Sequence, residues 1–116
     1  MRSWLHTTDQ DVLMIEADDE INSDSAAPLI ENVGQQITRS LRKVVVDCSN
    51  VDYLHTPGIA NLVSLHMRLR KSKGHMAVCS VSAAIMDLFH VARLDQLLDI
   101  QPNVESACAA VRGEGG

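Results

Sequence analysis

Residues 43–58, Lys-Val-Val-Val-Asp-Cys-Ser-Asn-Val-Asp-Tyr-Leu-His-Thr-Pro-Gly, constrain the fold more than any other segment. Val44, Val45 and Val46 form an apolar run with nothing polar to turn outward, the pattern of a strand inside a sheet covered on both faces. A polar loop follows, and then Pro57, whose fixed φ suits the first helical position. Thr56 stands next to it as the expected N-cap. A hydroxyl at that junction lies at the positive end of a helix dipole, near free backbone N–H groups, where a phosphate is tolerated. The segment points to a switchable binding surface in preference to a catalytic cleft.

The flanking sequence supplies the rest of an α/β domain. Residues 3–8 predict a short edge strand with Trp4 its one large side chain, and 12–17 alternate and β-branch like a second strand. The two are expected to pair antiparallel. Asp18, Asp19 and Glu20 make an acidic loop, and Asn22, Ser23, Asp24 and Ser25 are a run of N-cap residues ahead of a helix over about 26–41. That helix presents Leu29, Ile30, Val33, Ile37 and Leu41 on one face. A strand over 44–46 and a helix over 57–71 come next, the latter turning Ile59, Leu62, Val63, Leu65 and Leu69 inward and stopping at Ser72-Lys73-Gly74. Residues 76–81 predict another strand. Ser82 caps a third helix with Ile85, Met86, Leu88 and Phe89, Leu94 to Ile100 allow a last short strand, and 104–111 form a final helix. The expected architecture is therefore one domain over 1–112 with 113–116 as a flexible tail. It has a mixed four- to five-stranded sheet, parallel in its later strands through right-handed crossovers, and about four helices. In such sheets partners meet the loops at the carboxyl ends of the strands, where residues 53–58 fall.

Composition removes several function classes. Aromatics are 3% and the net charge is −5, so the chain lacks both the stacking platforms and the cationic excess of a nucleic-acid binder. The local basic run Arg68, Arg70, Lys71 and Lys73 complements the dipole at its own helix end. Cys48, Cys79 and Cys108 lie about thirty residues apart in apolar surroundings and read as small buried hydrophobes of a reduced, cytoplasmic protein. No apolar run reaches the roughly 18 residues of a membrane span, and the start carries no secretory core. His6, His55, His66, His75 and His90 show no metal-ligand spacing. Neither a G-x-S-x-G elbow nor a phosphate-binding glycine loop occurs. Asp47, at a strand end, is better suited to holding loop N–H groups than to acting as a base. No catalytic residue, metal or cofactor is expected.

From about residue 11 to 111 the chain resembles the STAS domains, named for sulfate transporters and anti-sigma factor antagonists. The resemblance rests on an ordered series. It runs through Val44-Val-Val-Asp47, His55-Thr56-Pro57-Gly58 in place of a D-S-S-G turn, and Ile59-Ala-Asn-Leu62. It continues through Lys71-Ser-Lys-Gly74, Met76-Ala-Val-Cys79-Ser-Val-Ser82, and Leu88-Phe89 with Leu94; Asp18 to Asn22 loosely match a G-E-L-D loop. It implies a small antagonist that binds an anti-sigma factor with serine/threonine kinase activity and so frees a sigma factor. Thr56 would be the phosphoacceptor, and a phosphatase a further partner. The partner-binding surface would comprise Asp19, Glu20, Asn22, His55, Thr56, Pro57, Gly58, Ile59 and Met86. His55 and Pro57 depart from the family turn: one replaces an acidic neighbour with a potentially attractive one, and the other fixes the backbone beside the acceptor.

Each of these residues also has a plainer role. Thr56 can be a cap alone, His55 a solvated loop residue, and Met86 a core side chain with Phe89. Two other functions compete. One is a STAS accessory subunit of a membrane transport ATPase, acting by contact without phosphorylation; the other is a small-ligand or nucleotide sensor using N–H groups near Gly58.

Overall fold

The computed structural model describes residues 2–5, 12–23, 27–36 and 42–113. Residues 6–8 of the expected first strand, 24–25 of the expected cap run, 26 and 37–41 of the expected first helix, and 114–116 of the tail lie outside the described residues. Strands β1 (Arg2–Leu5), β2 (Val12–Asp18), β3 (Lys43–Asn50), β4 (His75–Cys79) and β5 (Asp99–Gln101) form one sheet in the order β1-β2-β3-β4-β5. β1 runs antiparallel to β2, and β2 through β5 are parallel neighbours. Helices α1 (Ala27–Gln36), α2 (Thr56–Lys71), α3 (Ala83–Val91) and α4 (Val104–Val111) connect or follow the strands.

Side-chain alternation along the strands sorts the core into two layers. Leu13, Ile15, Ala17, Val44, Val46, Cys48, Met76 and Val78 point to the face covered by Leu62, Leu65 and Leu69 of α2 and by Ile85 and Phe89 of α3. Val12, Met14, Val45, Ala77 and Cys79 point to the other face, where Ala107, Cys108 and Val111 of α4 cover them. Consecutive parallel crossovers of one hand put their helices on one side of a sheet, so α4, which follows the last strand, is left to close the other side. α1 packs beside α2, where Arg68 crosses Gly34 to pair with Glu31. All three cysteines are buried. Burial pushes the Cys48 thiol up to about 12 and the Cys79 thiol to about 11, so neither is a ready nucleophile.

Two strand lengths differ from expectation for identifiable reasons. β3 continues past the valines to Asn50 because the polar end of β2 pairs with it: Asp18 lies opposite Asn50 after a register shift, and Asn50 Nδ2 donates to Glu16 Oε1 at 3.4 Å. β4 stops at Cys79 because Ser80 turns left-handed at φ 60°. The stop of α2 also works differently from a glycine cap. Lys73 takes the left-handed conformation (φ 58°), while Gly74 is needed for space. A Cβ at Gly74 would run into the Arg42 carbonyl and lie 2.8 Å from Leu69 Cδ2.

Candidate functional site

β3 delivers the chain to the carboxyl edge of the sheet, and α2 returns over the face, so Val51 to Gly58 form the rim between them. Val51 and Leu54 are buried anchors of that rim; Asp52, Tyr53, His55 and Thr56 are exposed. Alternation of anchors and exposed residues is why the loop holds a shape without secondary structure.

The start of α2 corrects one expectation. His55 is the N-cap residue, Thr56 is the first helical residue and Pro57 the second. Helical bonding begins one residue earlier than Pro57 suggests, because Ile59 N donates to His55 O at 3.0 Å. The His55 side chain makes no capping bond, and Thr56, already inside the first turn, is not the cap. The hydroxyl nevertheless sits on the exposed first turn, among N–H groups that no earlier turn of helix can satisfy.

A second segment holds this rim in place. Residues Asp19–Asn22 form a single 3-10 turn whose entry is capped by Asp18, with Oδ1 accepting from Glu20 N at 3.0 Å. Asn22 then bridges the rim: its Nδ2 donates to Tyr53 O and its Oδ1 accepts from His55 N, both at 2.7 Å. Asp19 Oδ1 accepts from Asp52 N at 2.9 Å. From below, buried Asn61 of α2 donates through Nδ2 to Ile21 O at 2.8 Å. Gly58 permits the approach, since a Cβ there would collide with Asn22 Oδ1 and lie 3.0 Å from Leu54 Cδ2. Asp47, expected at a strand end, lies inside β3 and is paired with Glu16 and Cys79; its Oδ1 accepts from Ser49 N at 3.0 Å.

Between the turn and the rim lies a groove of about 300 Å³ lined by Asp19, Asn22, Asp52, Tyr53 and His55. The Tyr53 and His55 rings meet at 5.3 Å between centroids, tilted 55°. Tyr53 is 41% exposed, a large aromatic side chain left in solvent. The groove thus offers an aromatic pair and two carboxylates, a chemistry suited to a protein partner's side chains.

The nine residues expected to touch a partner therefore divide. Glu20, His55 and Thr56 are exposed and unhidden by the rim; Asp19 and Asn22 line the groove while holding it together. Pro57 and Ile59 are half-buried, and Gly58 is buried, so these three support the surface from inside. Met86, half-buried near the start of α3, lies beyond the carboxyl end of β4 but does not line the groove. Sequence reasoning passed over Tyr53, Asp52 and Asn61. The missed signal for Tyr53 was the lone tyrosine of an aromatic-poor chain standing in a polar loop. Among the described residues no group of three or more His, Cys, Asp or Glu could hold a metal ion, and no helix is long and apolar enough to cross a membrane.

Comparison with known proteins gives a consistent result. The family model described as the STAS domain matches residues 4–107. A protein of Bordetella bronchiseptica named as anti-sigma factor antagonist BtrV is 23% identical over 92 residues, 79% of this chain and 79% of that one. The crystal structure of a Thermotoga maritima protein described as an anti-sigma factor antagonist superposes with a TM-score of 0.82 at 18% identity, covering 96% of this chain and 93% of the other. The anti-sigma factor antagonist SpoIIAA in its unphosphorylated form gives 0.71 at 12% identity, over 97% and 99%. At these identities the two structures show a shared fold.

Proposed function

Because this chain belongs to the STAS domain family, we propose that it is an anti-sigma factor antagonist whose Tyr53–Thr56 rim captures an anti-sigma factor with serine/threonine kinase activity and so frees a sigma factor. The observation that carries this reading is the exposed Thr56 on the first turn of α2, beside a groove held rigid by Asn22. In addition, the Bordetella relative and the similar structures bear the name of such antagonists, and SpoIIAA is described in an unphosphorylated form.

The switch follows from charge. Thr56 Oγ1 attacks the γ-phosphorus of ATP held by the kinase, the bond to the β-phosphate oxygen breaks, ADP leaves, and the hydroxyl proton passes to a base of the kinase. The product carries about −1.5 to −2 charge at neutral pH. At the start of α2 that charge is well placed with respect to the helix dipole, so the domain keeps its fold. In the complex it is desolvated and faces the nucleotide phosphates across the interface, where like charges cost several kcal/mol. Release follows, and a phosphatase restores the binding form. His55 next to the acceptor supplies a group that is attractive to phosphate when protonated. The reading places the protein in the cytoplasm.

The test is titration calorimetry of the purified protein against its partner kinase, with intact mass measured after ATP is added. The reading expects a gain of one phosphate that is absent in Thr56→Ala, and binding lost in Thr56→Glu. Unchanged affinity in Thr56→Glu removes Thr56 from the interface. Co-purification with a transport ATPase subunit, with no gain in mass, replaces this reading with the accessory-subunit one.

A further inference from the structure

A second charged surface lies at the opposite end of α2 from Thr56. Arg42, the residue before β3, joins Lys71, Ser72 and Lys73, where α2 stops, in lining a hollow of about 430 Å³. Lys71 and Ser72 also line an adjoining hollow of about 310 Å³ with Gly34 and Arg68. We propose that this paired concavity is a docking surface for an acidic peptide segment of a protein partner, with Arg42, Lys71 and Lys73 receiving its carboxylates. The proposal stands apart from the reading of Thr56.

Four observations carry it. Arg42, Lys71 and Lys73 are exposed, and none of them forms an ion pair among the described residues. No carboxylate lines either hollow, in a chain with 15 acidic residues against 10 basic ones. Next, a helix end carries only about half a negative charge, which Arg70 in the last turn already meets, and Arg42 arrives from a different element. Its backbone is held there because His75 N donates to Arg42 O at 2.9 Å and Gly74 leaves room for it. Third, Lys73 holds left-handed backbone at φ 58°, a conformation easier for glycine or asparagine, so the charge stands where the turn itself asks for no side chain. Finally, the N–H groups of Ser72, Lys73, Gly74 and His75 all donate within the fold. A compact phosphate finds none of the free backbone donors that phosphate sites use. Cations spread along two hollows joined at Lys71 suit an extended chain with several carboxylates.

The net charge of −5 does not oppose such a partner. α2 has 16 residues, so the rim at its start lies about 23 Å from Lys71 along the axis. That is nearly three Debye lengths of about 8 Å at physiological ionic strength, and the acidic turn beside the rim is screened from the hollow. At the near end, Glu31 on α1 is engaged by Arg68, and Asp99 on β5 by His75. A lipid surface is flat and leaves a concavity unfilled. Met67, the large apolar side chain exposed on α2, is too little to anchor the domain to one.

The experiment is an NMR titration of the whole protein, following the amides of Arg42 and of Lys71 to Gly74. The probes are a short peptide alternating glutamate and serine, the same peptide with glutamine for glutamate, inorganic phosphate, and vesicles of phosphatidylcholine and phosphatidylserine. The acidic peptide is expected to shift these amides saturably at low salt, with a Kd on the order of 1 mM or below. It should weaken about tenfold when salt rises to about 0.3 M. Lys71→Gln together with Lys73→Gln, changes at exposed positions that should keep the amide spectrum folded, is expected to weaken it about fivefold or more. Arg93→Gln removes an exposed cation on similarly left-handed backbone (φ 59°) outside the hollow and is expected to leave the affinity unchanged. Glutamine peptide, phosphate or vesicles binding as well as the acidic peptide, a response without saturation, shifts centred on Tyr53–Gly58, or an equal loss in Arg93→Gln would each overturn the proposal.

Discussion

The two ends of the sheet handle their polar groups in opposite ways. At the carboxyl end, Asn22, Asp19 and Asn61 supply partners for the backbone of Asp52, Tyr53, His55 and Ile21. At the amino end, His66 has both ring nitrogens buried and without a partner among the described residues. The first arrangement commits side chains to making a surface rigid. The second leaves a local, unmet cost in the folded state. Rigidity without an unmet group suits a surface that another macromolecule covers, while a buried unmet group marks a place where packing was satisfied at the expense of hydrogen bonding.

Glycine substitutions should separate the two ends most sharply. Gly74→Ala places its methyl against the Arg42 carbonyl, which cannot move without shifting β3, and should cost about 3 kcal/mol in urea unfolding. Gly58→Ala meets the Asn22 and Leu54 side chains, which can turn aside, and should cost about 1–2 kcal/mol. Equal losses would mean that the Asn22 bridge is as immovable as backbone.

Polar truncation is the next contrast. Asn61→Ala strands the buried Ile21 carbonyl and should cost about 2 kcal/mol. His66→Leu removes a group that has no partner among the described residues and should be neutral, or stabilising by about 0.5 kcal/mol. A loss in His66→Leu comparable to that in Asn61→Ala would contradict the orphaned imidazole.

Acid should act through the same residue. His66 has a folded pKa below its unfolded value, so the unfolded chain binds the proton more readily. The stability contributed is complete above about pH 6.5 and is lost as pH falls through the folded value. Thermal unfolding of His66→Leu should therefore decline less than wild type between about pH 7 and 5.5, by ~1–2 °C. Parallel curves would remove His66 from the acid response.

The smallest effect tests the start of α2. Asn103 Oδ1 accepts from Ser106 N at 2.8 Å at the start of α4, and Asn103→Ala should cost about 1 kcal/mol. Thr56→Ala removes no cap and should change stability by less than about 0.5 kcal/mol. A loss of 1 kcal/mol or more would restore Thr56 to a capping role.

How much of this was legible in the chain depends on the range of each cause. The strand at Val44–Val46, a helix opening near Pro57 and the cap at Ser82 follow from local patterns, and each is present. The position of Thr56 was off by one because the first helical bond is made to His55 O, which proline preference alone does not reveal. The Asn22 bridge spans 31 and 33 residues to its partners, a reach that no spacing rule supplies. Asp19 and Asn22 were picked out as contact residues, and their hold on the rim became visible only once the turn was docked on α2. Gly74 was read as a conformational stop, but the close approach of Arg42, set by β3 pairing with β4, is what demands it.

The Asn22 bridge also bears on how a modified Thr56 would be sensed in the cell. On the proposed reading, a rim tied to the Asp19–Asn22 turn on one side and to Asn61 beneath would keep its backbone contour when Thr56 carries a phosphate. Discrimination would then rest on the added charge, felt partly during approach and partly at the desolvated contact. Only the part felt during approach is softened by dissolved salt, whose Debye length is about 8 Å at physiological ionic strength. On that reading, added salt would slow the telling apart of the two forms as partners approach and leave the contact itself to separate them.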